Sequence, residues 1–131
     1  WLAYASDETG ENEVYVRRFP DSEGGQQQVS SHGGSEPRWS RDGRTLYFLD
    51  NGSRLMAAQV RTAPEFAVTA ITSLFDASAY IRDGFHQSYE VAPDGRSFYF
   101  LRQRPGPQGA LGPRPVLVQH WLSELKARQS R

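Results

Sequence analysis

Five polar side chains of this sequence are best suited to form a binding site. They belong to two glycine-containing segments. The segments link successive groups of predicted strands, and each contains one histidine, a side chain that titrates near neutral pH and binds many ligands. If the two segments meet at one end of the fold, they line a small polar site made of His32, Glu36, Arg82, Asp83 and His86. The alternative is that these side chains are solvated and bond only the local backbone.

Motifs for catalysis or metal binding are absent from the sequence. The third histidine, His120, lies in a predicted strand beside Trp121 and is expected to be structural. No His-Glu-x-x-His pattern occurs, and the nearest approach to the hydrolase pattern Gly-x-Ser-x-Gly is Gly33-Gly-Ser-Glu-Pro37, which ends in proline. The sequence therefore predicts no catalytic residue, no metal and no cofactor, although a hydrolytic activity stays open as an alternative.

Composition limits the classes of partner. The chain has 131 residues, and its 15 basic and 15 acidic residues give a formal net charge of zero. A nucleic-acid binder or a protein that binds anionic membranes normally carries a basic excess, so neither partner is expected. Cysteine is absent, which excludes disulfides and thiolate chemistry. No apolar run approaches the roughly 20 residues that span a bilayer, so membrane insertion is not expected.

An internal repeat supplies the elements that would position the site. Residues 39–49 return 52 positions later (91 − 39) as residues 91–101, each with an Asp-Gly-Arg turn before an aromatic run. A shorter copy at residues 1–5 aligns with residues 45–49 at an offset of 44 (45 − 1). Each copy predicts a strand, an Asp-Gly turn and a second strand, with Asp42 and Asp94 bonding the turn backbone. Repeats of this kind indicate solenoids, propellers or arrays.

The repeat resembles a known family. The stretch Pro37-Arg-Trp-Ser-Arg-Asp-Gly-Arg-Thr-Leu-Tyr-Phe48 is similar to the TolB-type β-propeller repeat, a relative of the WD repeat. The chain departs from that pattern at Arg41, where proline is usual, and at Val91-Ala92, where Trp-Ser is usual, whereas Pro93 is retained. The resemblance is closest to the last blades of propellers in bacterial TolB-like proteins or behind bacterial Ser/Thr kinases. It implies a periplasmic or other extracytoplasmic location.

The predicted fold is all-β, a partial propeller of two to three four-stranded antiparallel blades. We expect a blade without its inner strand at 1–30, a complete blade at 36–75, a blade without its outer strand at 88–121, and a short helix with a tail at 122–131. Propellers typically close with 4–8 blades, so two to three would leave apolar flanks exposed. Closure is therefore expected in a longer parent chain or by oligomerisation, with a homodimer completing a six-bladed ring.

The expected function is a non-catalytic propeller module that binds or scaffolds a protein or peptide. The alternative is a hydrolase, or a propeller accessory to an enzyme, with the small polar site at the mouth of the channel. A ring that closes by association and has no ligand is a further possibility that the sequence does not separate from the first.

Overall fold

The computed structural model describes residues 1–21, 23–84, 86–103 and 113–118. Every regular element in these ranges is a β-strand, and all strand pairs are antiparallel. The strands are β1 Leu2–Ser6, β2 Glu13–Arg17, β3 Gln26–Gln28, β4 Ser35–Trp39, β5 Thr45–Leu49, β6 Arg54–Arg61, β7 Ala67–Asp76, β8 Tyr89–Val91, β9 Phe98–Gln103 and β10 Pro113–Val118.

The strands form three separate sheets that follow one another along the chain. Sheet 1 contains β1, β2 and β3, sheet 2 contains β4 to β7, and sheet 3 contains β8, β9 and β10, with each strand beside its neighbour in sequence. The prediction of an all-β fold of antiparallel sheets is confirmed for the described residues. They include no helix long and apolar enough to cross a bilayer. The helix predicted at 122–131 and the strand position of His120 lie outside the described residues.

The two Asp-Gly turns have the same geometry, because the same local bonds close them. Gly43 N–H donates to the Ser40 carbonyl at 3.0 Å, and Gly95 N–H donates to the Ala92 carbonyl at 2.9 Å. Both glycines adopt positive φ, 69° and 65°, which a residue without a Cβ adopts at little cost. Asp42 and Asp94 accept from the backbone N–H two residues on, at 3.1 Å and 2.9 Å. Their predicted role in the turns is confirmed.

The turn between β5 and β6 runs from Asp50 to Ser53 and contains Asn51-Gly52, a dipeptide typical of two-residue hairpin turns. Ser53 N–H donates to the Asp50 carbonyl at 3.1 Å, and Arg54 N–H donates to the Asp50 carboxylate at 2.7 Å. The residue with positive φ is Ser53, at 62°, rather than Gly52. The Asp50 side chain thus stabilises a longer turn with its left-handed residue at the end, so the dipeptide predicts the reversal but not its type.

The core consists of two clusters on opposite faces of sheet 2, because successive residues of a strand point to opposite sides. One face packs against sheet 1, in a cluster of Val14, Val16, Val29, Leu46, Phe48, Ala58, Val60 and Phe66. The other packs against sheet 3, in a cluster of Tyr47, Leu49, Leu55, Ala57, Leu74, Ala77, Tyr89, Phe98 and Phe100. Burying one such side chain stabilises the fold by roughly 1.5–3 kcal/mol. Sheet 2 is therefore covered on both faces.

Candidate functional site

Three segments gather at one edge of sheet 2: the link before β4, the link before β8 and the turn between β5 and β6. A Cβ at Gly33 would collide with the Asn51 side chain, which places the first link directly against the turn. From the second link, Ala77 N–H donates to the Ser53 carbonyl at 2.8 Å. The two predicted site segments therefore meet at the same turn, which we call the link edge.

Arg82 joins two elements at the link edge. One guanidinium nitrogen, Nη1, donates to the Ser53 hydroxyl and the other, Nη2, donates to the Ser35 hydroxyl, both at 3.1 Å. The side chain is exposed, and these two partners are neutral. Since a hydroxyl does not cancel the charge of a guanidinium, Arg82 retains a positive charge held in a defined orientation.

Asp83 and His86 form a hydrogen-bonded pair in the same link, directly after Arg82. The distance between Asp83 Oδ2 and His86 Nδ1 is 2.8 Å, and both side chains are exposed. An ionised carboxylate can only accept a hydrogen bond, so Nδ1 carries the proton in this pair. In the neutral ring, Nε2 is then the acceptor, which suits it to bind a hydrogen-bond donor.

Glu36 connects sheets 2 and 3 through hydrogen bonds. Its carboxylate accepts from the Ser88 backbone N–H at 2.6 Å and from the Ser88 hydroxyl at 2.9 Å. Its carbonyl accepts from the Tyr89 hydroxyl at 2.9 Å, and its φ is 53°, a left-handed conformation that is uncommon for a residue with a Cβ. Burial, followed by the nearby Glu36 charge, raises the pKa of Tyr89 well above its usual value. Glu36 therefore has a structural role at the link edge.

His32 has a different environment from the other four predicted residues. Its Nδ1 lies 3.0 Å from the Ser31 hydroxyl, within the first link, and the ring is exposed. The structure therefore joins Arg82, Asp83 and His86 in one link, adds Glu36 through the shared partner Ser88, and leaves His32 bonded to its own neighbour. The next residue, Gly33, packs on the Asn51 side chain of the turn between β5 and β6.

The residue that sequence reasoning missed is Glu13. It follows a polar turn at the start of a strand, where an exposed carboxylate is the usual expectation, yet it is buried. Its carboxylate accepts from the Gly33 N–H at 3.1 Å and from the Ser30 hydroxyl, which itself accepts from the Val14 N–H at 2.7 Å. Glu13 thus holds the first link as Glu36 holds the second. The serine partners are far away in sequence, and no short motif contains them.

Ser88 supplies the hydroxyl that Glu36 and the second link share at the link edge. The Ser88 hydroxyl donates to Glu36 and accepts from the Asp83 N–H at 3.4 Å, so it is not bonded to the imidazole that would activate it. No group of three or more His, Cys, Asp or Glu that could hold a metal occurs in the described part of the chain. What the edge presents is a fixed cation beside an oriented imidazole–carboxylate pair.

A separate cavity of about 360 Å³ lies beside sheet 1, away from the five predicted residues. Its walls include Trp1 and Phe66, whose ring centroids are 5.4 Å apart, together with Arg18 and Glu65. The Arg18 guanidinium carbon lies 5.3 Å from the Trp1 ring centroid, a cation–π distance. These residues come from three separate segments, which is why their proximity could not be predicted from the sequence.

Comparison with models of protein families, with curated proteins and with solved structures finds no match to this chain.

Proposed function

We propose that this chain is a non-catalytic binding module in which the three sheets are successive propeller blades of the TolB type. Support comes from the two repeated hairpins, from the order of the strands in each sheet, and from the packing of sheet 2 between its neighbours. In a propeller, the segments that link the blades lie at one mouth of the channel. The gathering of both links at the link edge fits that arrangement.

The observation that carries the binding role is the placement of Arg82. Its guanidinium is oriented by two serine hydroxyls, and the Asp83–His86 pair follows in the same link. A side chain already held in place loses little conformational entropy when a ligand binds. A protein segment or peptide with a carboxylate for Arg82 and a donor for the imidazole matches this surface, because guanidinium and carboxylate groups form charge-assisted hydrogen bonds.

Selection from a displayed random peptide library on the purified chain tests this proposal. Selected peptides should share an acidic residue, and Arg82→Gln should weaken their binding about tenfold or more, the effect of losing one charge-assisted contact. Arg61→Gln is the matched control, since Arg61 is an exposed arginine at the opposite end of β6. Failure to select any peptide, or equal affinities for the two variants, would refute the proposed binding role.

A hydrolase is the second candidate, and the Asp83–His86 pair is the feature that favours it. An imidazole oriented by a carboxylate is the arrangement of a general base. Screening with ester and peptide substrates decides the matter when His86→Ala and His32→Ala are assayed beside the parent chain. Turnover that disappears in His86→Ala alone would favour the hydrolase; absence of turnover, or turnover unaffected by both changes, leaves no catalytic role for the link edge.

A further inference from the structure

Equivalent residues of the repeat have opposite environments in sheets 2 and 3. Tyr47 and Leu49 are 5% and 0% exposed, because sheet 3 packs on them. Their equivalents 52 positions later, Tyr99 and Leu101, are 44% and 43% exposed. The outer face of sheet 3 is therefore built like a face that receives another sheet, but its residues Tyr99 and Leu101 are exposed.

Sheet 1 presents the opposite kind of face. Leu2 and Tyr4 are equivalent to Leu46 and Phe48 at the offset of 44, and in sheet 2 those positions pack on the preceding sheet. In sheet 1 the alternate residue Ala3 packs toward sheet 2, so Leu2 and Tyr4 lie on the outer face. Leu2 is 46% exposed. The outer face of sheet 1 thus corresponds to a face that packs on a preceding sheet, which we call the inserting face. The outer face of sheet 3 corresponds to a face on which a following sheet packs, which we call the receiving face.

We infer that the outer face of sheet 3 docks against the outer face of sheet 1 in a second copy of this chain. Two such contacts related by a two-fold axis close a ring of two chains, a head-to-tail contact that ends in closure rather than in a filament. The second copy is the favoured occupant because it carries the inserting face that the receiving face matches by repeat position. The inference rests on the proposed blade arrangement, and it adds the partner and the surfaces.

Light scattering coupled to size-exclusion chromatography measures the outcome. The chain has a mass of 14.8 kDa, so the expected mass at about 100 µM is 29.6 kDa (2 × 14.8). Leu101→Arg and Leu2→Arg should each halve that mass, because each places an unpaired charge in one docking face. The control is Ile71→Arg, which changes an apolar residue of the same exposure, 43%, on β7, and it should leave the mass unchanged.

Mixing the two defective variants tests the head-to-tail geometry. Leu101→Arg retains an intact sheet 1 face and Leu2→Arg retains an intact sheet 3 face, so an equal mixture should recover part of the 29.6 kDa species (2 × 14.8). Loss of the dimer in Leu101→Arg alone would mean that sheet 3 docks on itself and would overturn the inference. A parent chain that is monomeric, or that forms larger species, would also overturn it.

Folding of each variant is checked by circular dichroism, and dilution of the unmodified chain provides a measurement that needs no variant. The dimer should dissociate on dilution to a folded single chain. A monomer that still binds selected peptides through Arg82 would remove this inference and leave the proposed function intact. A dimer that binds no peptide would support this inference and refute the proposed function.

Discussion

The hairpins at 39–49 and 91–101 are copies of one unit, yet only one of them is buried on both faces. Their turns are closed by the same bonds, and their first faces, represented by Phe48 and Phe100, are equally buried. The second faces differ, since Leu49 is covered by sheet 3 whereas Leu101 is open. The repeat therefore encodes the shape of the unit, whereas the number of neighbouring sheets determines how much each residue contributes to stability.

Truncating the equivalent leucines, Leu49 and Leu101, should change the free energy of unfolding most. Leu49→Ala should lower the free energy of unfolding by about 2–5 kcal/mol, because it removes a fully buried side chain and leaves a cavity. Leu101→Ala should cost less than about 1 kcal/mol in the single chain. Urea unfolding of dilute protein measures both. Similar losses at the two positions would contradict the difference in burial between the hairpins.

Removing the hydrogen bonds between Glu36 and Ser88 should cause the next largest loss of stability. Glu36→Ala leaves the Ser88 N–H and hydroxyl without their partner and should cost about 1–3 kcal/mol. Glu90→Ala, which breaks an exposed ion pair with Arg38, is the control and should cost less than about 1 kcal/mol. Thermal unfolding of both variants compares them, and equal midpoints would rule out a structural role for Glu36.

The two turn glycines should show equal, smaller losses. Gly43→Ala and Gly95→Ala each place a Cβ in a left-handed conformation and should each cost about 1–2 kcal/mol. Open space surrounds both positions, so no steric collision adds to the strain. Gly84→Ala, where φ is not positive, serves as the control and should change stability by less than about 0.5 kcal/mol. Chemical unfolding curves that differ between Gly43→Ala and Gly95→Ala would break the equivalence of the turns.

The smallest effect concerns the pKa values of the two turn aspartates, Asp42 and Asp94, which are lowered by different hydrogen bonds. The Ser40 hydroxyl, followed by the Arg44 N–H, lowers the pKa of Asp42. The Arg96 N–H is the main cause that lowers the pKa of Asp94, and Ser97 contributes further. A carboxyl whose pKa is lower in the folded state stabilises the fold above its unfolded pKa, near 3.8 here, and that contribution is lost as the pH falls through the folded value.

Ser40→Ala should therefore raise the pKa of Asp42 and leave that of Asp94 unchanged, as followed by NMR titration of the side-chain carboxyls. Asp42→Asn should lose less stability than the parent chain as the pH falls below about 4, because the substituted side chain no longer takes up a proton when the protein unfolds. A shift of both pKa values in Ser40→Ala would mean that the turns are coupled through the fold rather than closed locally.

The features that the sequence predicted correctly depend on contacts within a few residues. The Asp-Gly turns, the strand–turn–strand units and the all-β class all follow from local bonding and from alternation along a strand. The reversal between β5 and β6 is local as well, since Ser53 N–H donates to the Asp50 carbonyl and Arg54 N–H donates to the Asp50 carboxylate.

The candidate site was predictable only in part, because its chemistry is made across the chain. Arg82 bonds Ser35, 47 residues away, and Glu36 bonds Ser88, 52 residues away. Glu36 was predicted as a ligand-binding residue, yet its carboxylate joins two sheets, and Glu13 was not expected to be buried at all. No local pattern specifies which partner a carboxylate meets, since that depends on which sheets lie face to face.

The repeating unit and its turns follow from the amino-acid sequence alone, because their hydrogen bonds join near neighbours and form in either packing environment. The packing of the sheets determines which copy of the unit is buried on both faces, which carboxylates hydrogen-bond across segments, and which charges stay exposed at the link edge. Those outcomes depend on contacts between distant segments, and a contact between distant segments exists only when the sheets have packed.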